Sequence, residues 1–147
     1  MSDRIQHIVV PAHLSSLQKS VDFVSSLTRK QGFDAKRLSE IELCVEEILV
    51  NIFHYAYPDK QGEVEIFCQA DPEGAFTIKI VDSGIPFDIL SSDDPDISVN
   101  IDERQIGGLG IYFVKKLMDR VEYHRENNKN ILCLINMTTA VSRPVNE

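Results

Sequence analysis

Ile80-Val-Asp82-Ser-Gly84-Ile-Pro-Phe87-Asp88-Ile-Leu-Ser-Ser-Asp-Asp-Pro-Asp-Ile-Ser-Val-Asn-Ile-Asp-Glu-Arg104-Gln-Ile-Gly107-Gly108-Leu109-Gly110-Ile-Tyr-Phe113 is the stretch on which the fold turns. It opens at the end of a strand. Phe76, Ile78, Ile80 and Asp82 share one side of an alternating run whose other side carries Lys79, so a carboxylate projects from the apolar face where the strand stops. Such a carboxylate can accept a hydrogen bond from an exocyclic amino group, or it can cap the Ser83-Gly84 turn with its own side chain. From Pro86 to Gly107 there is little apolar periodicity, and a loop of that length inside a compact domain is usually functional or mobile. The stretch closes on glycines that open an apolar helix, where free backbone N–H groups and the helix dipole favour a phosphate. No Gly-Lys-Ser/Thr is present and no strand feeds directly into these glycines, which excludes a P-loop and a dinucleotide fold.

Outward from this stretch the chain reads as β-α-α-β-β-loop-α-β-β. A strand is expected over Arg4 to Val10 and is ended by Pro11. A helix capped by Ser15 or Ser16 then runs to about Gln31, with Leu17, Val21, Val24 and Leu27 or Thr28 on its apolar face and Gly32 as its stop. Asp34 offers the cap for a second helix from Ala35 to about Ala56, closed by Pro58. Strands at Glu63 to Ala70 and Phe76 to Asp82 flank the turn Asp71-Pro-Glu-Gly74. A third helix is expected from Leu109 to Met118. Strands at about Val121 to Arg125 and Ile131 to Met137 are joined by Asn127-Asn-Lys-Asn130. Paired strands of this kind predict an α+β fold, a two-layer sandwich with a mostly antiparallel sheet of about five strands and three helices on one face. One domain is expected over residues 1–137, with a flexible tail over 138–147.

The second helix is apolar nearly all round from Leu43 to Ala56, the pattern of a helix buried on most sides. Glu47 and Asn51 nonetheless sit inside it on one face, four residues apart, with His54 at the edge of that face. Glu46 points about 100° away and suits a solvated position. A buried carboxylate needs a cation or a wet pocket, so Glu47 marks either a site or the polar edge of the helix; the helix alone leaves both open.

Composition narrows the function classes. The 147 residues carry a net charge of −8, with 43% hydrophobic and 26% charged residues. No basic stripe is present, which argues against nucleic acid as a partner. No apolar run reaches membrane-spanning length and no secretory signal is visible, so a cytoplasmic protein is expected. Cys44, Cys68 and Cys133 are far apart in apolar stretches and read as buried free thiols; with the scattered histidines they form no metal-ligand spacing.

Three ordered segments together resemble the GHKL ATPase superfamily, which includes gyrase-type ATPases and sensor histidine kinases. Its N box is similar to Glu47-Ile-Leu-Val-Asn51 with the extension through Tyr57, its G1 box to Asp82-Ser-Gly84-Ile-Pro-Phe87-Asp88, and its G2 box to Gly107-Gly108-Leu109-Gly110-Ile111. The His54-Tyr-Ala end of the N box, the Pro86-Phe-Asp after G1 and the run from Gly107 to Leu117-Met-Asp resemble the anti-sigma-factor serine/threonine kinases of bacterial sporulation and stress control. Ile89 and Tyr55 depart from the usual proline and alanine. The resemblance covers nearly the whole chain.

The resemblance implies the Bergerat ATP-binding fold, ATP and Mg²⁺ as cofactors, and serine/threonine kinase activity. In it Asp82 meets the adenine amino group and Gly84 lets the ring approach. Asn51 ligates Mg²⁺, Glu47 is the general base, and Gly108 and Gly110 line the phosphates. Further nucleotide contacts fall at Phe87, Gly107 and Leu109. The loop from Pro86 to Gly107 is a lid, and Arg104 within it is either a γ-phosphate contact or a solvated residue. Implied partners are a STAS-type anti-sigma antagonist, a sigma factor and a second copy of the chain. A nucleotide-gated binding module without turnover is the alternative.

Overall fold

In a computed structural model, residues 5–91 and 108–138 are described. They form strands β1 (Ile5–Pro11), β2 (Glu63–Ala70), β3 (Ala75–Asp82), β4 (Arg120–Glu126) and β5 (Lys129–Met137), and helices α1 (Leu17–Arg29), α2 (Ala35–Tyr55) and α3 (Gly108–Leu117). Short 3-10 turns at Leu14–Ser16 and Ile89–Ser91 complete the described elements. The sheet runs in the order β1-β2-β3-β5-β4, and every pairing among the described strands is antiparallel. The α+β architecture read from the sequence therefore stands, with "mostly antiparallel" sharpened to antiparallel throughout. The tail expected beyond Thr138 lies outside the described residues.

Three local rules set these elements. Asp34 accepts the Arg37 N–H at 2.8 Å, so α2 starts where a side chain satisfies a free helix donor. Gly32, at φ +86°, ends the chain segment after α1. Asn127 and Asn128 both have positive φ, 55° and 63°, and Glu126 pairs with Lys129, which is a two-residue type I′ hairpin. The turn is thus two residues long, and Asn130 belongs to β5 rather than to the loop.

α1 starts after Ser16, one of the two expected cap positions, but without the expected side-chain bond. Ser16 makes no side-chain cap bond; instead His13 Nδ1 accepts the Ser15 N–H at 3.0 Å at the head of the 3-10 turn. The inward face of α1 also differs. Ser20, Val24, Ser25 and Thr28 are the buried positions; the Ser20 and Thr28 hydroxyls donate back to the Ser16 and Val24 carbonyls at 2.8 and 2.7 Å, and the Ser25 hydroxyl donates to the Glu42 carboxylate of α2. Hydroxyls bonded to their own helix backbone need no cross-helix partner, and the expected Leu17, Val21 and Leu27 pack partly buried against the core beside them.

The core lies between the helices and one face of the sheet. Ile41, Val45, Ile48 and Leu49 of α2 meet Val64, Ile66, Phe76, Ile78, Ile80 and Leu134 of the sheet, all at 1% exposure or less. Burying one such side chain contributes about 1.5–3 kcal/mol. On the opposite face the His7 ring stacks on Phe67 at 4.3 Å, and the Lys79 ammonium sits 4.8 Å from the Phe67 centroid. Cys133 is on that face too and is half-buried, whereas Cys44 and Cys68 are buried as expected. Burial pushes the Cys44 and Cys68 thiols up to about 12.

Candidate functional site

Two clusters of polar side chains flank the apolar wall of α2. The first is at Asp82. Alternation along β3 carries it to the helix-facing side, where it is 5% exposed at the floor of a narrow slot. The slot is walled by Ile48 and Ile52 of α2 and Ala56 just after it, by Ile80 and Leu132 of the sheet, and by Phe87 and Ile89 after β3. Asp82 Oδ1 accepts the Gly84 N–H and the Asn130 Nδ2–H, each at 2.9 Å. The turn-capping alternative is therefore realised on one oxygen alone.

Gly84 is a glycine for a packing reason. A Cβ there would overlap the carbonyl of Ala56, the residue that follows α2, and Ile85 N–H donates to that same carbonyl at 2.9 Å. The turn after β3 is thereby fastened to the end of α2. Tyr57 fastens it again: its hydroxyl donates to the Glu63 carbonyl and accepts the Ser83 N–H, both at 2.7 Å. Phe87 is 40% exposed at the mouth of the slot, its ring 6.3 Å from that of Tyr55. Tyr55 thus lies at the mouth, and His54 is exposed beyond it.

The second cluster is one helical turn away. Glu46 is exposed while Glu47 is half-buried, as their 100° separation requires. Burial, and secondarily the neighbouring Glu46, pushes the Glu47 carboxyl above its ordinary value. Glu47 lies directly against Gly110 in the first turn of α3, where a Cβ would collide with the carboxylate. Asn51 is buried and donates from Nδ2 to the Glu47 carbonyl at 2.8 Å, which leaves Oδ1 as its acceptor atom. Gly108 and Leu109 are the first two residues of α3. Arg104 and Gly107, and the expected lid from residue 92 onward, lie outside the described residues. Among the described residues no three His, Cys, Asp or Glu side chains could hold a metal between them.

Asn130, Tyr123 and Arg125 were missed as site residues from sequence. Asn130 is 6% exposed, faces Asp82 across β3 and β5, and is paired with Arg125 on β4. The signal that finds it is the two-residue turn. Counting back from Asn127-Asn128 puts Asn130 in register with Leu132 and Leu134 on the buried face.

This arrangement, with a slot between a helix and an antiparallel sheet, matches a known family. The family model of the histidine kinase-like ATPase domain covers residues 10–136, and the chain belongs to that family. In sequence it is similar to the serine-protein kinase RsbW of Bacillus cereus (strain AH820), 26% identical over 113 residues, 74% of this chain and 70% of that protein. The RsbW protein of Bacillus thuringiensis (strain Al Hakam) is 24% identical over the same length. In structure it is similar to the RsbU and RsbW domains of Rv1364c from Mycobacterium tuberculosis, with a TM-score of 0.63 over 91% of this chain and 13% identity. This chain spans 32% of that one, about a third of its length. A blue-light activated histidine kinase of Erythrobacter litoralis gives 0.53 over 85% of this chain at 14% identity, and both likenesses bear on the fold alone. Among the described residues no helix is long and apolar enough to cross a membrane.

Proposed function

We propose that the chain is an ATP-dependent protein serine/threonine kinase that acts as an anti-sigma regulator, phosphorylating a STAS-type antagonist and sequestering a sigma factor. The observation that carries the reading is the contact between Glu47 and Gly110. It sets a carboxylate with a raised pKa against the glycine-rich start of a helix, where a transferable phosphoryl group and a base have to meet. The similarity to serine-protein kinases supports the same reaction class.

The residues present fit an adenine nucleotide. The slot is apolar on both sides, as a purine ring needs, and a carboxylate oxygen at its floor accepts from an exocyclic amino group. Guanine presents an acceptor at that position and is disfavoured. Asn51 Oδ1 is the one atom of that amide not engaged by its own helix, and a neutral oxygen is a suitable ligand for Mg²⁺. Asn51 is the residue that would hold Mg²⁺, which would supply charge neutralisation at the phosphates.

In the reaction the substrate serine oxygen forms a bond to the γ-phosphorus as the bond from that phosphorus to the bridging oxygen breaks, and ADP leaves. Glu47 takes the serine proton. Burial raises its pKa, which makes the carboxylate a stronger proton acceptor than a solvated one. Positioning and charge stabilisation contribute most of the barrier reduction. Gly108, Leu109 and Gly110 are assigned to the phosphates, Asp82, Gly84 and Phe87 to the base, and Arg104 and Gly107 to the segment that precedes α3. A homodimer is part of the same proposal.

Labelled ATP with Mg²⁺ and a cognate STAS protein should yield phosphoserine, and the Glu47→Ala variant should bind ATP without transfer. Transfer by Glu47→Ala at the wild-type rate would remove Glu47 as the base, and absence of transfer by the wild type to any STAS protein encoded beside it would leave a nucleotide-gated binding module as the better account.

A further inference from the structure

Asn130 is a side chain whose orientation admits no alternative. Three donors converge on its Oδ1: the Tyr123 hydroxyl at 2.6 Å, an Arg125 guanidinium N–H at 3.2 Å and the Phe87 backbone N–H at 3.3 Å. Its Nδ2 faces two acceptors, the Ile85 carbonyl at 2.8 Å and Asp82 Oδ1 at 2.9 Å. A guanidinium and a backbone N–H only donate, and a carbonyl only accepts, so flipping the amide would set like against like on both sides. The amide therefore offers Asp82 a donor and never an acceptor.

That constraint falls on one oxygen of Asp82. Gly84 N–H and Asn130 Nδ2–H both bind Oδ1, which leaves Oδ2 as the oxygen with capacity for a ligand in the slot. The carboxylate is held in one rotation by two donors on its inner oxygen. Arg125 holds the Gly84 carbonyl at 2.8 Å with the same nitrogen that reaches Asn130, and Asn130 also holds Phe87, one wall of the slot. The floor and one wall are thus fixed by a single amide.

We infer that Asn130 is the residue that makes the slot selective for a 6-aminopurine, by fixing which oxygen of Asp82 is offered to the ligand and by fixing that it is offered as an acceptor. Asn130 is a positioning residue that acts through Asp82 and Phe87. The inference rests on the nucleotide-binding reading and deepens it. A carboxylate free to rotate could present either oxygen, at a poorer angle. With its inner oxygen held by two donors it presents the outer one, so a ligand that lacks a donor at that position leaves a buried acceptor unpaired.

The test compares two probes that differ in one group: ATP and purine riboside triphosphate, the same nucleotide without its 6-amino group. Calorimetry on the wild type should show a preference for ATP of about 10- to 100-fold. In Asn130→Asp, which keeps an acceptor for Tyr123, Arg125 and Phe87 but sets a second carboxyl where the donor was, the preference should fall to within about threefold. Asn130→Ala should behave the same way, and Asn130→Asp decides if that variant does not fold. Equal loss of affinity for both probes in Asn130→Asp, with the ratio kept, would show that Asn130 serves the fold alone and would overturn the inference while sparing the nucleotide site. A wild type that binds both probes equally would overturn the inference but not phosphate-directed binding. A wild type that binds neither would overturn the nucleotide reading, and this inference with it.

Discussion

Glu47 and Gly110 are 63 positions apart in the chain, yet the carboxylate of one occupies the space that a Cβ on the other would need. The contact ties the middle of α2 to the first turn of α3, and it is possible because position 110 has no side chain. Desolvation in this contact region raises the Glu47 pKa, so the same packing that aims the carboxylate also biases its protonation.

Glu47→Gln should abolish phosphoryl transfer and leave ATP binding within a few-fold of wild type. It should also stabilise the ligand-free protein at neutral pH. The sign follows from linkage: a carboxyl whose folded pKa lies above the unfolded value of 4.5 costs the wild type stability as pH rises from 4.5 through the folded value. The variant has no such loss. Thermal melts at pH 7 should therefore place it above wild type, and the gap should close below pH 4.5. A gap of constant size across that range would contradict the burial of Glu47.

Asp82→Asn should weaken ATP binding by about 10- to 100-fold, since one charge-assisted hydrogen bond is at stake. Calorimetry checks it, and unchanged affinity would remove Asp82 from base recognition.

Gly84→Ala should lower stability by about 1–3 kcal/mol, because the added methyl meets the Ala56 backbone carbonyl and backbone cannot step aside cheaply. Urea denaturation measures this. A neutral result would mean that the turn after β3 and the end of α2 are not packed together.

Arg37 is 4% exposed and links α2 to the end of α3 and to β5. It pairs with Glu40 at 2.8 Å and Asp119 at 3.4 Å, donates to the Leu117 carbonyl, and reaches Asn136 Oδ1 at 2.7 Å. Its Nε and the Asn136 Nδ2 are buried without partners, so the cluster is not fully satisfied. Arg37→Met should still cost about 2–4 kcal/mol, because removing the cation leaves two carboxylates and a buried carbonyl facing an apolar chain. A variant as stable as wild type in urea would show that the unpaired atoms cancel the value of the pairs.

Cys133 should react with a thiol reagent in the native state well before Cys44 or Cys68. It is half-buried on the open sheet face, and burial raises its thiol too, but the other two are fully buried, with thiols pushed up to about 12. Mass mapping after brief alkylation reads this directly. Modification of Cys68 at the same rate would mean that the β2 edge of the core opens easily.

Much of this was legible along the chain, and what was not follows a pattern. The strand Glu63 to Ala70 and the helix from Ala35 were placed by alternation and by the Asp34 cap, both interactions between residues a few positions apart. The face of Asp82 and the contrast between Glu46 and Glu47 came from the same periods. The start of α1 at Ser16 was placed correctly, but the 3-10 turn before it, capped by His13, was not foreseen. Its inward face was read correctly at Val24 and Thr28, but the buried Ser20 was not, because a small hydroxylated residue that bonds to its own helix carries no apolar signal. Asn130 was hidden inside a polar run whose turn proved two residues long rather than four.

The sequence by itself determined the elements, their order, the carboxylate at the end of β3 and the polar pair inside α2, because each is specified by spacing within one element. Which atoms meet was decided by tertiary structure alone. That Asp82 faces Asn130 depends on the ladder register between β3 and β5, and that Glu47 faces Gly110 depends on how α3 seats against α2. Both pairs are nonlocal, and the packing of the whole core fixes their distances; no periodicity in the chain carries that information.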